Sequence, residues 1–262
     1  MYLGDVTWQE AGEYLDESSL ALVPVGSTEQ HGPHLPLSTD HVIAEGLARG
    51  AADRGGYLCT PTVNIGVSPH HRQFHGTLSV DAPAFRDYVA SLAESLVYQG
   101  IDRIVFVNAH GGNVQHLREV GRRLHDDGTC YAIEWMWDES IPQLVDELFE
   151  YNGPHAGPKE TSMVWHLIDN VRDGKLEEAR DGGLTKYDSH DTRVHGARTF
   201  YDSIENSPNG AFGDPTDASA EKGEQLYEAA CEQLVALCDW LDAQPSETLD
   251  ARPHVREREK AE

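Results

Sequence analysis

The chain is short of lysine: only five of its 20 basic residues are Lys, and they stand against 45 Asp and Glu, for a formal charge of −25. A surface this acidic repels phosphate backbones and anionic headgroups, so neither nucleic acid nor a membrane is an expected partner. The acids are dispersed along helical faces instead of forming one tail, and high salt screens such dispersed self-repulsion, which points to a salt-adapted protein. No apolar run approaches the roughly 20 residues of a membrane span. Cysteine is scarce too. Cys59, Cys130, Cys231 and Cys238 lack the close pairing of a zinc finger, and no secretory leader is legible, so free thiols and a cytoplasmic location are expected. Cys231 and Cys238, seven apart, share a helical face and read as small core residues.

The apolar residues, 39% of the chain, are gathered into runs such as 20–25 and 101–107, enough for one core. A single domain over residues 1–243 is expected, followed by a charged tail over 244–262. Thr7 and Glu10 form a capping box at the head of a helix reaching about residue 16. A strand over 20–25 ends at Gly26, a polar loop runs to Ser38, and a helix covers 39–53. Residues 57–65 read as extended, 83–99 as a helix, 103–108 as a strand, 114–125 as a helix and 131–135 as a strand. Further helices are expected over 140–150, 161–171 and 217–242. The alternation predicts a layered α/β/α sandwich with a mostly parallel sheet.

Parallel sheets open their binding crevice beyond the carboxyl ends of the strands, so the loops after Val25 and Asn108 are expected on one edge. The first carries Glu29, His31, His34 and Asp40, with His41 beside it. The second carries His110 among small residues, and a third segment, HAGPKETS, offers His155 and Glu160. One loop His beside an acid is usually solvated or a cap, but three such segments converging on one edge indicate a metal centre. Mixed His and carboxylate donors suit Zn, Mn or Fe better than Ca or Mg, and Asp40 is the candidate carboxylate to bridge two ions.

GSTEQHGPHLPLSTDH, VNAHGGN, HAGPKETS and FGDPTDASAEKG together resemble the creatininase family of amidohydrolases, from about Val23 to Gly223. The resemblance implies a creatininase-like layered fold, a homo-oligomer, a small-molecule substrate and two divalent ions per subunit, Fe2+, Zn2+ or Mn2+. It also implies site roles: Glu29 and His110 on one ion, His31 on the other, Asp40 between them, His155 assisting proton transfer and Glu160 an acid beside the metals. Ser68 and His71, in SPHHRQFHGTLS, match substrate-side residues of the family.

Two departures bear on the substrate. The creatinine-hydrolysing members carry a metal-ligating Glu where this chain has Gly112, so either Glu160 or a water is expected to complete the second site. They also carry a Trp, Asp and His to hold creatinine where this chain has Tyr151, Asn152 and Pro154, so Tyr151 and Asn152 are expected to contact a different substrate. The HGGN form is similar to that of the archaeal formamidopyrimidine deformylases of riboflavin and deazaflavin biosynthesis and of the peptidase that matures mycofactocin. The acidic composition favours an archaeal source and so the deformylase, acting on a phosphorylated formamidopyrimidine ribonucleotide, with His70, His71, Arg72 and His75 as the cationic groups for its phosphate; for Arg72 a plain surface role is an equal alternative. Creatinine or another cyclic amide, a mycofactocin-type peptide, and a non-catalytic metal-binding role are the alternatives. FGDPTDASAEKG reads as a turn with Asp217 or Ser219 capping the last helix.

Overall fold

The computed structural model describes residues 1–150, 153–181, 193–195, 197–198 and 202–249. Helix α1 (Trp8–Leu15) opens with the expected reciprocal cap between Thr7 and Glu10. Then come β1 (Leu20–Val25), α2 (Thr39–Gly55), β2 (Leu58–Cys59), α3 (Ala82–Tyr98), β3 (Arg103–Asn108), α4 (Val114–Asp126) and β4 (Tyr131–Met136). The second half holds α5 (Pro142–Leu148), α6 (Pro158–Ile168), α7 (Leu176–Asp181), a small β5 (Arg193–Val194) and β6 (Ala197–Arg198) hairpin, α8 (Ser203–Asn206), α9 (Ala220–Asp242) and α10 (Ser246–Leu249).

The main sheet has the order β2-β1-β3-β4, with every pair parallel. Successive β1 residues serve opposite cores, as the two-residue period of a strand requires. Leu20 and Leu22 join α2, α6 and α9 on one face, while Ala21, Val23 and Val25 join α3 and α4 on the other. This is the α/β/α sandwich expected from the alternation of elements. Cys59, Cys231 and Cys238 are buried, Cys130 is half-buried, and all four are free thiols. Trp137 is core, whereas Trp8 and Trp240 are exposed. No helix among the described residues is long and apolar enough to cross a membrane.

Three expectations are corrected by local chemistry. Only Leu58–Cys59 of the 57–65 stretch is a strand, because Pro61 has no N–H for a ladder; pairing resumes at a single bridge between Val63 and Val25. Helix α6 begins three residues early, at Pro158, whose fixed φ suits a first helical position, and stops at Asp169 in the left-handed region. Helix α9 starts at Ala220 because Ser219 accepts the Lys222 N–H, so the cap is Ser219 and not Asp217. Within the stretch expected as a tail, residues 246–249 form a helical turn, with Arg103 donating to Gln244 O and Ser246 Oγ; residues 250–262 lie outside the described residues.

The sheet order reverses between β1 and β3, which makes their carboxyl ends a topological switch point. Val25 and Asn108 are register partners, so the two motif-bearing loops leave the sheet side by side. Gly26 lets the first turn of α2 close on the end of β1: a Cβ there would lie 2.4 Å from backbone atoms of His41. Gly26→Ala is therefore expected to force α2 off the strand end and lower the unfolding free energy by about 1–3 kcal/mol, read from urea midpoints.

Candidate metal centre

The loop after β1 is tied down by its own backbone and by neighbours. Glu29 N–H donates to Leu37 O, and Thr28 bridges Leu78. Asn113, from the HGGN motif, donates to Gly26 O and accepts the Val67 N–H, strapping three loops together at the switch point. Asp40 sits in the first turn of α2, where the helix N-terminus favours a negative charge.

The result is a buried cluster. Glu29, His31 and Asp40 are within 2% of full burial, and His71, His110, His155 and Glu160 are buried beside them. Asp40 faces one imidazole with each oxygen: Oδ1 lies 2.9 Å from His31 Nε2, and Oδ2 lies 3.2 Å from His110 Nδ1. Glu29 Oε1 lies 3.4 Å from His110 Nδ1, 3.5 Å from His71 Nε2 and 3.8 Å from His155 Nδ1. Potential ligand atoms group as Glu29, His31 and Asp40, as His31, His155 and Glu160, and as Glu29, His71 and His155.

Hydrogen bonds at the far nitrogens decide what these rings present. His31 Nδ1–H donates to Glu29 O, and His110 Nε2–H to Val67 O with Ser68 Oγ close by, because a carbonyl can only accept. His31 Nε2 and His110 Nδ1 are thus left as lone pairs, each aimed at a carboxylate oxygen. Acceptor faces acceptor. Glu29 Oε2, Asp40 Oδ2 and His31 Nε2 have no aligned hydrogen-bond partner despite their burial. Buried atoms left this way call for a cation between them, and the donor set suits a transition metal held by second-sphere carbonyls.

Without an ion, protons take that place. Burial alone disfavours a charged imidazole, but Asp40, aided by Glu160 and Glu29, lifts the His31 pKa to about 9, and Glu29 with Asp40 lifts that of His110 well above its usual value. Burial likewise opposes ionisation of Glu29 and Asp40, yet His110 holds Glu29 well below the usual carboxylate range, and His31 lowers Asp40. Glu160 differs. Burial dominates there and raises its pKa to about 7, against the pull of His31 and Lys159. Its Oε2 accepts the Ala156 N–H at 2.6 Å, and Ala156 is held at φ 52, in the left-handed region. Phe212 N–H donates to His155 O, so the FGDP segment anchors the His155 loop.

All the expected metal residues, Glu29, His31, Asp40, His110 and Glu160, come together with His155. Ser68 is buried behind His110, and His71 reaches Glu29. Arg72, expected to meet a phosphate, is exposed. Tyr151 and Asn152 lie outside the described residues. Sequence reasoning missed Gln30, which contacts both His71 and His155, and Glu134, which accepts from Asn108 and Arg118 beneath His110. A polar residue interrupting the apolar pattern of β4 was the available signal for Glu134.

The family model described as creatinine amidohydrolase matches residues 4–238. A mycofactocin precursor peptide peptidase of Mycobacterium ulcerans is 33% identical over 237 residues, covering 82% of each chain. A 2-amino-5-formylamino-6-ribosylaminopyrimidin-4(3H)-one 5'-monophosphate deformylase of Methanothermus fervidus is 30% identical over 146 residues, covering 55% of this chain and 54% of its own. The solved structure named Creatininase Mn matches with a TM-score of 0.77 at 22% identity, covering 93% of this chain and 99% of that one, which establishes the shared fold.

Because protons occupy the gaps in the metal-free protein, loading with Zn2+ or Mn2+ near pH 7 is expected to release about one proton per imidazole displaced. Calorimetry in two buffers of different ionisation enthalpy measures it, and Asp40→Asn should abolish both the release and the rise in melting temperature on loading. His34 supplies a pH test of the fold. Burial drives its pKa to about 3, below the unfolded value of 6.5, so the unfolded chain takes up the proton first. Its contribution is complete above pH 6.5 and is lost as pH falls toward 3, by about 1.4 kcal/mol per pH unit. Urea midpoints at pH 7, 6 and 5 should fall less steeply in His34→Asn.

Proposed function

The chain belongs to the creatininase family of hydrolases, and from that premise we propose that it is a two-metal hydrolase cleaving an amide bond in a peptide. The carrying observation is Asp40 set between two imidazole lone pairs, the arrangement of a carboxylate that bridges two ions. Glu29 and His110 would share one ion with Asp40, and His31 and Glu160 the other. Two divalent ions held there lower the pKa of a water and polarise the amide carbonyl.

The chain's own residues supply the proton handling. His155 Nε2–H donates to Gln30 O, which leaves Nδ1 to take a proton and pass it toward the departing nitrogen. Burial raises the pKa of Glu160 to about 7 in the metal-free protein, and it would share this task only where it does not hold the second ion.

Gly112 argues against creatinine. A Cβ there would lie 2.3 Å from Val67 O and 2.4 Å from His110 Nε2, so no carboxylate can stand at this position, and Glu160 is the remaining acid for the second ion. Between peptide and formamidopyrimidine, the peptide is favoured by relatives at 30–34% identity over about four fifths of the chain or more, all named mycofactocin precursor peptide peptidases.

The test is turnover by the protein loaded with Zn2+, Mn2+ or Fe2+, at low and high salt. Its substrates are a mycofactocin-type precursor peptide with a panel of short peptides, the formamidopyrimidine nucleotide, and creatinine. New amino termini are expected from a peptide, with Asp40→Asn slower by more than about a hundredfold. Formate release from the nucleotide without peptide cleavage overturns the peptide reading and leaves the hydrolase in place.

A further inference from the structure

We infer that Gln30 is a positioning residue: its side-chain amide sets the proton of His71 on Nε2, making that ring a donor to Glu29 rather than a metal ligand, while its backbone carbonyl sets the proton of His155. The inference rests on the reading of this cluster as the reaction centre.

Two backbone groups whose polarity cannot change orient the amide. Gly32 N–H donates to Oε1 at 3.0 Å, and Nε2 donates to Gly210 O at 3.1 Å. Gly210, at φ 85, presses on the amide so closely that a Cβ there would lie 1.7 Å from Oε1. Swapping O and N would set acceptor against acceptor and donor against donor at once. One N–H of Nε2 therefore remains, and two ring nitrogens stand near it: His71 Nδ1 at 2.7 Å and His155 Nε2 at 2.9 Å.

Gln30 O decides between them. It lies 2.9 Å from the same His155 Nε2, and a carbonyl cannot donate, so His155 Nε2 carries a proton and gives it to Gln30 O. The second amide N–H then goes to His71 Nδ1. A buried neutral imidazole that accepts at Nδ1 holds its proton on Nε2, and that nitrogen faces Glu29 Oε1 at 3.5 Å. His71 thus restrains the carboxylate from behind. His155, with its proton directed away to the backbone, turns an unprotonated Nδ1 toward the cluster.

The main chain near Gly210, in the second half of the sequence, accordingly sets the tautomer of His71, while the Gln30 carbonyl sets that of His155. Residue 30 reaches His71 through its side-chain amide, whereas its hydrogen bond with His155 is made by the backbone and survives substitution.

The test is long-range 1H–15N correlation of histidine rings in the full chain, metal-free and zinc-loaded, with His71→Asn and His155→Asn supplying assignments. In the wild type both rings are expected as the Nε2–H form. In Gln30→Glu, whose carboxylate cannot donate, His71 should move to Nδ1–H while His155 stays unchanged, and zinc should bind about 10–100-fold more weakly. General disruption would move both rings. A wild-type His71 found as Nδ1–H overturns the inference without any variant, as does a His71 unmoved in folded Gln30→Glu. Wild-type protein that shows the expected ring forms but fails to bind zinc sinks the metal reading and leaves the role of Gln30 standing.

Discussion

One confrontation governs the molecule: a fully buried carboxylate, Asp40, set between two imidazoles whose other nitrogens are already committed to backbone carbonyls. Lone pairs facing lone pairs at about 3 Å in a dry interior are tolerable only with positive charge between them. Protons can supply it, and so can metal ions. The exchange of one for the other couples metal affinity to pH and folding to metal.

The scaffold's task is to hold that confrontation in place. Four parallel strands bring Val25 and Asn108 level, and a strand end without a Cβ at Gly26 lets α2 deliver Asp40 directly above them. Asn113 ties the surrounding loops, and the FGDP segment fastens His155 from the opposite side of the chain. Preorganisation of this sort puts the ordering cost into folding, so that ions and substrate meet groups already aimed.

Asp40 and the imidazoles around it form the buried cluster itself. The closeness of Gly112 to Val67 O and His110 leaves no room for a side chain there, and burial raises the pKa of the neighbouring acid Glu160 to about 7 in the metal-free protein. Lys159 beside it is buried and paired with Asp138, and with His31 it only partly offsets the effect of burial on Glu160.

Much of this was legible in the residues. Strand β3 and its alternation with helices follow from apolar runs and glycine punctuation, which are local signals, and Glu29, His31, Asp40 and His110 stand out because donor types of one chemistry cluster in loops at predicted strand ends. Helix starts at Pro158 and Ala220 were misjudged by a few residues, since several nearby residues can cap and only packing selects one. The sequence by itself determined the layered fold and the kind of atoms offered to a metal. Only the tertiary structure decided which nitrogen of each ring faces inward, that Gly112 has no room for a side chain, and that Gln30 meets Gly210 from 180 residues away. Those outcomes depend on contacts between segments remote in sequence, and no local pattern encodes the direction of a hydrogen bond.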